Sequence, residues 1–292
     1  MPAQSAQTVR SFDLPSAEFI FGSTTGMCEI REKIHRALHD DLPVLIEGEN
    51  GTGKEVIGRF LHSYSVRRDG PFLKLNCAAV PPSLLEGEIY GYDGGAVVNV
   101  CGTANGSIGL ASGGTIFLDE IGDMDLTLQK KLTETLGGGY YLPLGGREEL
   151  VVNARFVFAS SVDLGTGLKN RTFLGELLGF FAHHHVRLLP LRDRKEDIPQ
   201  LCEYLLGKIA RDFGRPVPRL SSAALEAFQQ RKWPGNIREL ENWIARIVVF
   251  GAEEVMSLEF RRELMTWEEP RQRKRHAAHL SRGRARRPRR HN

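Results

Sequence analysis

The chain has 292 residues, 41% of them hydrophobic, with a formal net charge of +3, enough for one large α/β domain and a smaller appendage. No apolar run approaches the roughly 18 residues of a membrane span, and no basic–apolar–small signal segment opens the chain, so nothing here reads as crossing a membrane. Cys28, Cys77, Cys101 and Cys202 fall in no CxxC spacing, which points to reduced cytoplasmic thiols rather than a disulfide or zinc framework.

Residues 1–16 read as a loose leader. From Phe19 to about Leu38 the pattern is a strand end and turn, then an amphipathic helix carrying Ile30, Ile34 and Leu38. Leu42-Pro43-Val44-Leu45-Ile46 is a short apolar run of the interior parallel-strand type. A glycine-rich phosphate loop follows, Gly48-Glu49-Asn50-Gly51-Thr52-Gly53-Lys54, and then Val56, Ile57, Phe60 and Leu61 at helical spacing. Glycines let backbone N–H groups turn inward around an anion, the helix N-terminus adds its positive dipole end, and Lys54 can reach the terminal phosphates. Glu55 stands where a Ser or Thr hydroxyl usually helps hold Mg²⁺.

Further strands are expected at 71–76, 115–118, 154–159 and 186–188. Strands alternating with helical patterns imply a parallel sheet covered on both faces. The strand at Thr115–Leu118 ends in Asp119 and Glu120, at the sheet edge where ligands bind in such folds. Asp119 suits a Mg²⁺ ligand, directly or through water, and Glu120 is placed to orient and activate an attacking water. Together with the phosphate loop, this pair predicts a nucleoside triphosphate site, with ATP and Mg as cofactors. Gly137-Gly138-Gly139 reads as a flexible end of the helix begun at Leu126. His183-His184-His185 carries no metal expectation, because adjacent strand residues point to opposite faces and cannot converge on one ion.

After Pro190 the pattern turns helical, at 198–210, 222–230 and 237–250, with Ser221 and Ser222 as candidate caps and a charged hinge at 191–195. Residues 271–292 hold ten of the 39 Lys and Arg and no Asp or Glu, leaving 29 basic against 36 acidic groups in the rest. That tail has one Leu and no aromatic residue, and is expected to be disordered. It could bind nucleic acid non-specifically through counterion release, be a solvated end without a partner, or be an out-of-frame C-terminus.

Five segments in order, GENGTGKE (48–55), RRDGPFLKLNCAAV (67–80), GGTIFLDEIGDM (113–124), LLPLRDRKEDIP (188–199) and WPGNIREL (233–240), resemble the AAA+ domain of bacterial enhancer-binding proteins, the NtrC-type activators of sigma-54 RNA polymerase. The resemblance covers roughly residues 19–260. It implies a P-loop NTPase with an α/β nucleotide-binding domain over 17–190, a small all-helical lid over 191–262 and a basic tail over 263–292. Its pattern itself carries Glu after the loop lysine. It implies nucleotide contact along Gly48, Glu49, Asn50, Gly51, Thr52, Gly53, Lys54 and Glu55 and from Arg238, the lid arginine. It also implies that Asn76 is a switch holding the catalytic Glu120 until the γ-phosphate is sensed, and that subunits, own or paralogous, assemble in a ring.

Two departures stand against full activity. The family's polymerase-contacting GAFTGA loop is here Gly95-Ala96-Val97-Val98-Asn99-Val100, so contact with sigma-54 polymerase is expected to be impaired. The two arginines offered to the neighbouring subunit's ATP align with Leu174 and Phe180, neither of which supplies a cation; Arg171 lies nearby. The sensor position, usually Thr-Asn, is Ser160-Ser161. The expectation is therefore an ATP-binding regulatory module with weak hydrolysis. The alternatives are an active ring ATPase remodelling sigma-54 polymerase and a decayed or truncated member, since the roughly 30 residues after Phe260 are too few and too charged for a helix-turn-helix.

Overall fold

The computed structural model describes residues 14–93 and 106–251. Residues 1–13 of the leader, the Gly95–Val100 loop and the basic tail lie outside these residues. The chain divides into two compact units.

The larger unit holds residues up to Leu201 together with Gln229–Leu240. It opens with α1 (Ala17–Phe21) and α2 (Thr25–Ala37), where a strand end was expected at Phe19; one helical turn buries Ile20 and Phe21 instead. β1 (Val44–Glu47) leads into α3 (Lys54–Ser63), then β2 (Phe72–Asn76), α4 (Pro82–Tyr90) and, past the undescribed loop, α5 (Gly106–Leu110). β3 (Thr115–Asp119), α6 (Leu126–Gly138), β4 (Tyr140–Tyr141), β5 (Leu150–Val151), β6 (Arg155–Ser160), α7 (Leu164–Lys169), α8 (Gly175–Gly179) and β7 (His185–Arg187) follow. Five strands pair in parallel in the order β2-β3-β6-β1-β7. The order leaves β1 between β6 and β7, so the loop after β1 opens at a point where connections leave for opposite faces, the usual ligand crevice of such sheets.

Alternation along each strand builds two cores. Val44 and Ile46 of β1, Phe117 of β3 and Val157 and Ala159 of β6 face α1, α2 and α3. Leu45, Ile116, Leu118, Phe156 and Phe158 face α4, α6, α7 and α8 on the other side. Both faces are covered, which is why the strands read as continuous apolar runs. β4 and β5 form a separate antiparallel pair, not legible in the sequence because each has two residues.

The smaller unit contains Cys202–Phe228 and, among the described residues, Glu241–Gly251. It takes in most of α9 (Ile198–Asp212) and α10 (Ser222–Gln230), and the C-terminal part of α11 (Asn236–Phe250). Leu205, Ile209, Phe228, Ile244 and Ile247 are buried, and the Phe228 and Trp243 rings meet edge-on at 5.8 Å. Ser221 Oγ accepts the Ala224 N–H at 3.2 Å, so Ser221 rather than Ser222 caps α10.

Candidate functional site

The phosphate loop joins buried β1 to α3, and Gly51 and Gly53 adopt φ of 79° and 102°, a region closed to most side chains. Gly51 has a second constraint: a Cβ there would collide with the Gly235 carbonyl. The close approach is fixed by the Gly51 carbonyl accepting the Ile237 N–H at 3.0 Å. The buried Asn236, at φ 54°, donates from Nδ2 to the Asn50 carbonyl at 3.0 Å and to Glu49 Oε2 at 3.2 Å, and its Oδ1 accepts the Leu191 N–H at 2.8 Å. Arg192 binds both Glu49 oxygens, at 2.6 and 2.8 Å, the bidentate geometry that Lys cannot supply. Those bonds, with that from Asn236, hold the Glu49 carboxyl down at about 2. Thr52 Oγ1 donates back to the Glu49 carbonyl at 2.8 Å, and the buried Arg194 reaches the Thr52 carbonyl at 3.2 Å. Burial lowers the Arg194 guanidinium to about 10, a value that leaves it charged at neutral pH.

Lys54, nearly buried, donates from Nζ to the Gly48 carbonyl at 2.8 Å and lies 3.5 Å from Glu120 Oε1. Glu120 sits at φ 56°, ψ 49°, directly after β3. Its Oε2 accepts the Ser161 N–H at 2.8 Å and the Ser161 hydroxyl at 2.6 Å. Asp119 Oδ2 is 3.4 Å from Lys74 Nζ, which also binds Glu55 at 2.6 Å. Burial raises the Glu55 carboxyl, but hydrogen bonds from Lys74 and Arg59 outweigh it and leave the group below its ordinary value. Glu55 thus takes two cations, Lys74 from β2 and Arg59 one turn along its own helix.

Arg238 stands at the rim: a Cβ built on Gly51 would lie 3.1 Å from its Cβ, and its guanidinium forms no salt bridge among the described residues. Asn76 lies at the end of β2. Its Oδ1 accepts the Ala78 N–H at 3.0 Å, capping the turn after β2, and it makes no hydrogen bond to Glu120 among the described residues. β2 register nevertheless sets Asn76 beside Asp119. Ser161, at the sensor position the resemblance implied, donates to the glutamate instead. Unforeseen were Arg192, Asn236 and Lys74, although all three lie inside segments that carried the resemblance.

Leu174 and Phe180 flank α8, partly buried against the core of their own subunit. Arg171 is exposed, at φ 59°, and makes no salt bridge among the described residues. The three histidines do separate: His184 Nε2 meets Asp40 at 2.8 Å and His185 Nε2 meets Glu47 at 2.8 Å. No group of His, Cys, Asp and Glu among the described residues could hold a metal by itself, and no described helix is long and apolar enough to cross a membrane.

The sigma-54 interaction domain family matches residues 20–186, more than half of the chain, and the AAA+ ATPase lid domain matches residues 192–277. The DNA-binding transcriptional regulator NtrC of Azospirillum brasilense is 39% identical over 240 residues, covering 82% of this chain and 50% of its own length. The activator HyfR of Escherichia coli K12 is 42% identical over 230 residues, 79% of this chain and 34% of its own. This chain therefore spans half or less of these relatives. Among solved structures, NtrX of Brucella abortus, determined with ADP and with ATP, is 29% identical, covering 78% of this chain and 50% of its own, with a TM-score of 0.72. The yeast Hsp104–casein complex, 13% identical at a TM-score of 0.62 with 80% of this chain and 45% of its own covered, shares the fold alone. The chain belongs to the sigma-54 interaction domain family, the AAA+ domain found in bacterial enhancer-binding proteins.

Proposed function

We propose that this chain is the ATP-binding module of a transcription regulator related to sigma-54-dependent activators, with slow hydrolysis and impaired contact to the sigma factor. One observation carries the nucleotide reading. A glycine-conformed loop at a helix N-terminus has Lys54 and Glu120 within 3.5 Å of each other, and Arg238, in no salt bridge among the described residues, stands at its rim. Backbone N–H groups and the helix dipole attract the phosphates, Lys54 exchanges the Gly48 carbonyl for β/γ-oxygens, and Arg238 adds a second cation. Residues for magnesium fit: Asp119 offers a hard carboxylate oxygen at the sheet edge, and Mg²⁺ keeps most of its waters beside one carboxylate and the phosphates. Bound there, the ion would neutralise phosphate charge. The solved complexes of NtrX with ADP and ATP support the same occupant here.

Slow hydrolysis follows from Leu174 and Phe180. An arginine finger is worth roughly 10³ to 10⁵ in rate, and a side chain packed into an apolar core cannot replace it. ATP binding and turnover should be measured on one purified sample. Micromolar binding with negligible turnover is expected. Turnover of about one per second, ordinary for an enzyme, would establish an active ATPase instead, and absence of ATP binding would end both readings.

A further inference from the structure

We propose that Lys74 is a built-in counter-ion for Asp119, keeping that carboxylate from taking a divalent cation until nucleotide phosphates arrive. The proposal rests on the nucleotide reading above. β2 is an edge strand of the sheet, which leaves room for a lysine in the run Phe72-Leu73-Lys74-Leu75. Its ammonium lies between two carboxylates from two other elements, 2.6 Å from Glu55 Oε2 at the start of α3 and 3.4 Å from Asp119 Oδ2 at the end of β3. The two contacts are unequal. Glu55 is fixed from its other side, where Arg59 donates to Oε1 from Nε at 2.9 Å and from Nη2 at 2.6 Å. Lys74 is thus anchored on Glu55 at charge-assisted hydrogen-bond length and lends only its field to Asp119. Among the described residues it is the one cation paired with Asp119.

Without the lysine, two partly buried carboxylates would face each other across a gap that one divalent ion can nearly span. Glu55 Oε2 and Asp119 Oδ2 lie at most 6 Å apart, the sum of their distances to Nζ. Oxygens on opposite sides of Mg²⁺ lie about 4 Å apart, so a small side-chain shift would let both carboxylates share the ion. An ammonium in that gap repels a second positive charge at close range. Nucleotide phosphates change the balance, because their charge offsets the ammonium's and they supply oxygen ligands that Asp119 alone lacks. Lys74 then stays on Glu55, the shorter contact, and gives up the longer one to Asp119. It acts through Asp119 and is a positioning residue.

Mn²⁺ binding to the full chain without nucleotide, read from the fall of the free-ion electron spin resonance signal, tests this. Lys74→Met should bind the ion about ten- to a hundredfold more tightly than wild type. That is the scale of removing a unit charge about 5 Å from a divalent ion at an effective dielectric of roughly 50–80, the screening of a site open to water. Lys74→Arg keeps the charge and should behave as wild type. Adding Asp119→Asn to Lys74→Met should abolish the gain, which ties it to this carboxylate and not to other acidic groups. With ADP bound, the gap between wild type and Lys74→Met should shrink. Lys74→Gln replaces the methionine variant should that fail to fold by circular dichroism. Equal Mn²⁺ affinity of wild type and Lys74→Met, a gain that survives Asp119→Asn, an equal gain in Lys74→Arg, or a gap that bound ADP leaves unchanged overturns the proposal. A wild-type chain that binds no ADP with Mn²⁺ overturns the nucleotide reading instead, a result distinct from the variants' Mn²⁺ affinities without nucleotide.

Discussion

At the mouth of the phosphate loop, Lys54 donates to a loop carbonyl and faces Glu120, so its ammonium is already held where phosphate oxygens would come. Lys54→Ala removes that charge and leaves the backbone cradle, and ATP affinity should fall about ten- to a hundredfold, since a charged hydrogen bond is worth about 1.5–3 kcal/mol. Equal affinity by calorimetry for wild type and variant would exclude a phosphate role for the lysine. One turn of chain earlier, the buried Glu47 accepts the Leu164 N–H and binds His185 and Arg187. Burial raises its pKa, but these bonds prevail and depress it from 4.5 to about 2. A depressed carboxyl stabilises the fold above its unfolded value of 4.5, and that stability is lost as pH falls toward about 2. With Arg187 largely open to water, the contribution is about 1–3 kcal/mol. Urea midpoints should therefore separate wild type from Glu47→Gln at pH 7, with the gap narrowing below pH 4.5 and closing as pH falls through about 2; a constant gap would show that packing, not charge, carries the difference.

Among elements, α3 rests on β3 through Gly58, where an added Cβ would run into the Phe117 ring. Two effects oppose each other in Gly58→Ala. Helix propensity favours alanine by about 1 kcal/mol. Overpacking a filled core costs about 1–3 kcal/mol. Because Phe117 is fully buried and cannot step aside, we expect net destabilisation of about 1 kcal/mol, read as a lower thermal midpoint; a raised midpoint would mean that the ring yields. The strands at 44–47, 72–76, 115–119, 155–160 and 185–187 stand where the apolar runs predicted them, since burial on both faces writes itself directly into composition. The segment at Phe19 was misread because two adjacent buried residues, Ile20 and Phe21, satisfy a helical turn as well as a strand end.

For the whole molecule, catalysis in a ring would need cations from a neighbouring subunit, and Leu174 and Phe180 withhold them. Turnover should be at least roughly 10²-fold below that of an intact relative, a conservative reading of arginine-finger magnitudes. Leu174→Arg with Phe180→Arg should raise it, provided circular dichroism shows the variant folded, because Phe180 packs on the core and a charge there costs stability. Brisk wild-type turnover with no gain in the double variant would show that another cation, Arg171 being the nearest exposed one, serves the seam. With Val97 and Val98 in place of an aromatic anchor and a hydroxyl, the chain should not co-elute with the sigma-54 factor in the presence of a transition-state ATP analogue; co-elution would restore the polymerase-contact reading.

The phosphate loop, the Asp119–Glu120 strand end and the parallel α/β class were determined by the sequence alone. Each depends on residues adjacent in the chain: glycines where φ must be positive, apolar runs where both faces are buried, carboxylates at the end of a run. Which groups meet at the site was decided by tertiary structure. Ser161 and Glu120 are 41 residues apart, Arg192 and Glu49 143, Asn236 and Glu49 187. Such pairs follow from strand order and register, and no local pattern encodes them. Asn76 shows the difference: its place at a strand end allows a turn cap through Oδ1, and only the folded arrangement sets it beside Asp119 while Ser161 donates to Glu120.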